Sequence, residues 1–121
     1  MGNKENNVIL LKSIDFAVRI INLYKYLCKE FSEYTLSKQI LRSGTSIGAN
    51  VREAIEGITK ADFKNKIYIA LKEARETDYW LELLYKTDYL TESQYEDINK
   101  DNEELIKILT SIAKTCNSQF I

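Results

Sequence analysis

Lys64, Tyr68, Lys72, Arg75 and Tyr79 recur every three or four residues, so a helix would carry them on one stripe. Cationic groups neutralise phosphates, and phenol rings set between them can stack on bases, which is what contact with RNA needs. A plainer reading is a solvated helix face whose charges pair at i,i+4, as Asp62 with Lys66 and Lys72 with Glu76. Both readings place the five residues on a surface.

A second set is polar. Arg42, Ser46, Asn50 and Glu53 would share one face of the preceding helix. Neither Ser46 nor Asn50 has a neighbouring base to activate it as a nucleophile. A functional reading would make the four a ligand site; the reading preferred is a structural polar network, completed by Glu73 or Glu76, that satisfies groups burial would otherwise penalise. Glu73 and Glu76, with Glu53, could alternatively be carboxylate metal ligands or a glycoside-hydrolysing pair. Di-metal bundles draw on Glu-x-x-His, and this chain contains no histidine. The same absence removes Ser-His and Cys-His catalysis and HExxH zinc sites. The expectation is a protein without catalytic residues, metal or cofactor.

The elements that must position these groups are helices. Residues 39–57 form the centre of the pattern, with Leu36, Ile40, Ser43/Gly44, Ile47, Val51, Ala54 and Ile58 in one stripe. Ser43, Gly44, Thr45, Ser46, Gly48 and Ala49 are all small. Each glycine costs roughly 1 kcal/mol against alanine inside a helix. Close approach of a neighbouring helix is the expected compensation.

A first helix is predicted over 8–31. Leu10, Ile14, Ala17, Ile21, Tyr24, Cys28 and Phe31 form its stripe, widened by Ile9, Phe16, Ile20, Leu23 and Leu27. Thr35 is the expected N-cap of a helix over 36–57, with Gly57 at its end. Thr59 caps a third helix over 60–89, helped by Asp62 in the first turn. Its core stripe is Phe63, Ile67, Ala70, Leu71, Ala74, Leu81, Leu84 and Tyr85. A second line, Ile69, Glu73, Glu76, Trp80 and Leu83, points elsewhere, and Ile69, Trp80 and Leu83 are expected at a subunit interface. Thr91-Glu92-Ser93-Gln94 is a capping box opening a helix over 92–116. That helix buries Tyr95, Ile98, Leu105, Leu109, Ile112 and Cys116, turns acidic residues outward, and is expected to fray at its end. The predicted fold is all-α, a single-domain antiparallel up-down-up-down four-helix bundle.

Composition agrees. The 121 residues suffice for one domain, with 45% hydrophobic and 29% charged residues and no proline to interrupt long helices. Cys28 and Cys116 lack CxxC partners and read as core thiols at opposite poles, so no disulfide is expected. Residues 1–6 carry neither a signal peptide nor a myristoylation pattern, and Lys12, Asp15 and Arg19 break the apolar run from Val8. A cytoplasmic protein that spans no membrane is expected. The 17 basic and 18 acidic residues nearly cancel, unlike those of a dedicated nucleic-acid binder. Their distribution is uneven: residues 60–75 are mostly basic and residues 88–104 mostly acidic.

Several blocks together carry a family resemblance. They are Gln39-Ile40-Leu41-Arg42-Ser43, Ser46-Ile47-Gly48-Ala49-Asn50-Val51-Arg52-Glu53-Ala54, Asp62-Phe63, Ile69-Ala70, Glu73-Ala74, Glu76-Thr77 and Tyr79-Trp80-Leu81. Over residues 8–114 the chain resembles the four-helix-bundle proteins of 23S rRNA intervening sequences, also labelled S23 ribosomal proteins. That family is similar in fold and assembly to the accessory proteins of diversity-generating retroelements, which bind RNA and a reverse transcriptase through a basic surface. The resemblance implies a left-handed bundle and a homopentamer around a central channel.

Two functions stay open. One is a non-enzymatic homo-oligomer that contacts rRNA or another structured RNA through the stripe on the third helix. The other is a protein-interaction or scaffold module that docks a partner on the acidic face of the fourth helix, around Glu96 and Asp97.

Overall fold

A computed structural model describes residues 4–119 and resolves four helices: α1 Lys4–Phe31, α2 Leu36–Glu56, α3 Lys60–Lys86 and α4 Glu92–Gln119. Residues 1–3 and 120–121 lie outside the described residues, and of the end expected to fray, residues 117–119 continue α4. Local chemistry sets each boundary. Thr59 accepts the Asp62 N–H at 3.0 Å, and Asp62 lies in the first turn of α3. The Thr91 box is reciprocal, the Gln94 N–H donating to Thr91 Oγ1 and the Thr91 N–H to Gln94 Oε1.

α1 begins at Lys4, four residues before its predicted start, and α4 ends at Gln119, three residues past its predicted end. Two further differences have a local cause. Thr35 makes no side-chain cap. The Glu33 carboxylate takes the role, accepting the N–H groups of Thr35, Leu36 and Ser37 at 3.2, 3.1 and 2.7 Å. Desolvation pushes the Glu33 carboxyl up, but the donors outweigh it and hold the group below the usual carboxylate range. The other difference is α3, which stops at Lys86 rather than Tyr89. Asp88 turns the chain at φ 69°, and the Tyr89 N–H folds back to the Leu84 carbonyl at 2.9 Å. Asp tolerates that left-handed conformation better than most residues.

Cross-helix contacts fix the antiparallel order. Ile20 meets Gly44 and Ser13 meets Gly48 between α1 and α2. Arg42 reaches Glu73 and Lys66 reaches Glu53 between α2 and α3. Asn102 donates to the Ala74 carbonyl and Tyr85 stacks on Tyr95 between α3 and α4. Arg19 pairs with Asp97 and Asp101, and Lys12 with Glu104, between α4 and α1. In each pair one number rises as the other falls, and the bundle runs up, down, up, down.

Buried positions repeat at alternating three- and four-residue steps. They are Asn6, Ile9, Ser13, Phe16, Ile20, Leu23 and Leu27 on α1, and Phe63, Ile67, Ala70, Ala74, Thr77, Leu81 and Leu84 on α3. On α4 they are Ile98, Asn102, Leu105, Leu109, Ile112 and Cys116. This seven-residue period belongs to helices that wind about each other left-handedly.

On α1 the predicted emphasis is reversed. The widening residues Ile9, Phe16, Ile20, Leu23 and Leu27 are the core, whereas Leu10, Ile14, Ala17 and Tyr24 are half-buried and Ile21 and Phe31 exposed. Ile58, placed in the α2 stripe, lies past the helix end and is 96% exposed. The glycines behave as expected. A Cβ on Gly44 would meet Ile20 Cγ1 at 2.7 Å, and one on Gly48 would meet Ser13 Oγ at 3.2 Å. α2 is notched where α1 crosses it.

Candidate nucleic-acid interface

α3 shows two different faces. Its basic and aromatic stripe opens to solvent, with Lys72 and Arg75 exposed, Tyr79 55% exposed and Tyr68 38% exposed. Tyr68 and Tyr79 are eleven residues apart, three turns, so their rings project the same way about 16 Å from each other. Lys64 Nζ lies 5.9 Å from the Tyr68 ring centroid, a cation–π distance, and Lys64 is half-buried. Tyr79 meets Trp80 edge to face at 5.1 Å between centroids. The i,i+4 pairs expected to occupy this helix form differently: Lys66 reaches across to Glu53 of α2 at 2.8 Å, and Lys72 acts on Glu76 only through space. Further along the face, Lys86 pairs with Glu82 at 2.9 Å.

The other face meets α2. Arg42 Nη1 donates to Glu73 Oε2 at 2.9 Å and Nη2 to Glu76 Oε2, while Trp80 Nε1 donates to the same Glu76 oxygen at 3.0 Å. Glu76 is held below the usual carboxylate range first by the indole N–H, then against desolvation by Arg42. Arg42 is correspondingly raised, chiefly by its bond to Glu76. Glu73 is buried, and the guanidinium makes that burial tolerable.

The predicted polar set divides. Arg42, Glu73 and Glu76 converge with Trp80. Ser46 Oγ instead donates to the Arg42 carbonyl at 2.6 Å, and Asn50 Nδ2 to the Ser46 carbonyl at 2.8 Å, both within α2. Glu53 stands apart with Lys66. Ile69, Trp80 and Leu83 are half-buried, and Trp80 packs against the chain's own core.

Other groups escaped the sequence reading. Thr77 is fully buried, its Oγ1 2.9 Å from Ser43 Oγ and 2.8 Å from the Glu73 carbonyl. Asn102 is fully buried on α4 with its Oδ1 unpartnered. Both fall on the seven-residue period, which a search for apolar residues alone passes over. Arg19 clamps Asp97 and Asp101 at 2.6 Å each, and these bonds raise its pKa against some desolvation. That clamp spans the sparsest seam of the bundle, α1 against α4, where clefts of about 290 and 150 Å³ open.

Cys28 and Cys116 are both free thiols. Burial pushes the Cys116 thiol up, away from reactivity, with Lys64 opposing. Among the described residues no group of three His, Cys, Asp or Glu side chains is arranged to hold a metal ion. No described helix is long and apolar enough to cross a membrane.

Fold and surface together define a small all-α bundle protein with one basic, aromatic helix face. The chain belongs to the 23S rRNA-intervening sequence protein family, whose model matches residues 5–111. It is similar to a crystal structure at 1.70 Å of a protein of unknown function from the S23 ribosomal protein family of Bacteroides thetaiotaomicron VPI-5482. The two share 61% identity and a TM-score of 0.90, covering 91% of this chain and 98% of that one. Among curated proteins none matches.

Proposed function

We propose that this protein is a non-enzymatic, cytoplasmic homo-oligomer, a pentamer by family resemblance, that contacts structured RNA through the exposed face of α3. The observation that carries the reading is the joint exposure of Lys72 and Arg75 between the rings of Tyr68 and Tyr79. Each cation can displace a counterion from an RNA backbone, and repetition around a symmetric ring would multiply a weak contact. The near-zero net charge is compatible, because residues 60–75 carry Lys60, Lys64, Lys66, Lys72 and Arg75 against only Asp62 and Glu73, and Glu73 is turned to Arg42.

Oligomerisation has its own support. Leu11 and Val18 on α1 are 63% and 53% exposed, beside half-buried Ile14 and exposed Ile21. An apolar stripe of that length on a helix suits a helix of another subunit. Half-buried Ile69, Trp80 and Leu83 offer a second patch.

Retention of a structured rRNA fragment over a salt series, with oligomer mass recorded in the same buffers, tests the reading. Affinity should fall steeply with salt, and Lys72→Glu with Arg75→Glu should abolish retention at unchanged mass. Retention that ignores the double variant would reject the surface.

The alternative is a scaffold that docks a protein on the acidic face of α4. Asp97 and Asp101 are already committed to Arg19, and Glu104 to Lys12, which leaves Glu92, Glu96 and Glu103 as the exposed acids outside those ion pairs. A protein partner lost when Glu92 and Glu96 are reversed would favour it.

A further inference from the structure

We infer that the α3 face takes unpaired RNA, a loop or single-stranded stretch, rather than the side of a duplex; this rests on the RNA reading above. Lys72 and Arg75 could serve either kind of RNA, since phosphates are common to both. The rings decide. Tyr68 and Tyr79 stand exposed on one helix, about three turns apart, with the two cations between them. In a duplex the base faces are covered by their stacked neighbours, and A-form RNA offers side chains a deep, narrow major groove and a shallow minor one. Two phenol rings on one helix would meet sugars, phosphates and base edges there but no open base face on which to stack.

An unpaired strand presents base faces, and exposed rings are platforms for them. The spacing sharpens the point. Neighbouring stacked bases lie about 3.4 Å apart along a strand, far less than the roughly 16 Å between the rings. The two platforms therefore take bases several nucleotides apart, and the intervening backbone passes over Lys72 and Arg75. Lys64, over one face of the Tyr68 ring, extends the positive track past that platform, and the base takes the opposite face. Glu82 beyond the other is neutralised by Lys86. The track is thus bounded at both ends by groups on α3 itself.

The Tyr79–Trp80 contact supplies a direct readout. Trp80 is the chain's only tryptophan, and its ring centroid lies 5.1 Å from that of Tyr79. A base stacking on Tyr79 comes close enough to quench indole emission, which a phosphate contact alone does not do. The experiment compares a uridine oligomer with a fully paired RNA duplex of equal length, at low salt, by anisotropy and Trp80 emission. The oligomer should bind about tenfold more tightly than the duplex and quench Trp80. Tyr68→Leu with Tyr79→Leu should lower oligomer affinity about tenfold or more and leave duplex affinity unchanged. Equal or better duplex binding without quenching overturns the inference while leaving the RNA reading in place. Failure to bind either RNA overturns both.

Discussion

At Gly44 the backbone of α2 lies against the side chain of Ile20, so that a Cβ would meet Cγ1 at 2.7 Å and Cγ2 at 2.8 Å. Ile20 is fully buried and branched at the atoms involved, and it cannot swing clear. Gly44→Ala gains about 1 kcal/mol of helix propensity but overpacks the crossing at about 1–3 kcal/mol. The expected outcome is a net loss of stability in urea denaturation. In an Ile20→Ala background the same change should become stabilising. Two independent, additive effects would show that the crossing is not tight.

Gly48→Ala should be milder, because its new methyl meets Ser13 Oγ at 3.2 Å and backbone at 3.4 Å rather than a branched side chain. Here helix propensity and crowding nearly cancel, and a midpoint close to the parent's is expected. A loss larger than that of Gly44→Ala would contradict this ranking.

Arg42→Ala leaves the buried Glu73 without its cationic donor and takes one of two donors from Glu76. A loss of about 1–3 kcal/mol is expected, the usual consequence of unpairing a charged group in a partly buried site. Glu73→Gln with Arg42→Ala should recover part of it. A double variant no more stable than Arg42→Ala would argue against the pairing.

Trp80 also reports the titration of Glu76. A carboxyl depressed in the folded state contributes stability above its unfolded pKa of about 4.3, and that contribution is lost as pH falls through the lower folded value. Indole emission should thus stay constant on acidification past the ordinary carboxylate range and change only below it. Arg42→Ala should move the midpoint upward, since the guanidinium helps to hold the carboxylate ionised. A midpoint indifferent to Arg42 would assign the depression to the indole bond alone.

If the proposed oligomer uses the α1 stripe, replacing Leu11 and Val18 by lysine should reduce the mass seen in sedimentation without unfolding the chain, as both side chains are exposed in the single subunit. An unchanged mass would move the interface elsewhere.

Much of this was legible in the sequence. Small residues around Gly44 and Gly48 announced a close crossing, and Thr59 and Thr91 marked where α3 and α4 begin. The convergence of Arg42 with Glu73 and Glu76 followed from matching polar faces on adjacent helices. What eluded reading was phase. The inner line of α1 is broken by Ser13, whereas the line one residue later runs Leu10, Ile14, Ala17 and Ile21 without a polar residue between them. Counting apolar residues favours the wrong line. Asn102 hides in α4 for the same reason, filling the step between Ile98 and Leu105. The cap of α2 was missed because Glu33 is two residues before Thr35, where a longer side chain folds back onto the helix end. The indole bond from Trp80 to Glu76 joins residues four apart, but a ring that also packs on the core gives no sign of it in one dimension.

Those two lines on α1 have a further consequence. Turned by about 100°, the angle one residue subtends on a helix, α1 would offer its neighbours an equally greasy surface and leave Phe16 and Ile20 outside. Hydrophobicity does not distinguish the two settings. Shape does, since only the observed one seats Ile20 and Ser13 in the notches of α2. Filling both notches would therefore do more than loosen the bundle: it would erase the key that selects one of two near-equivalent dockings.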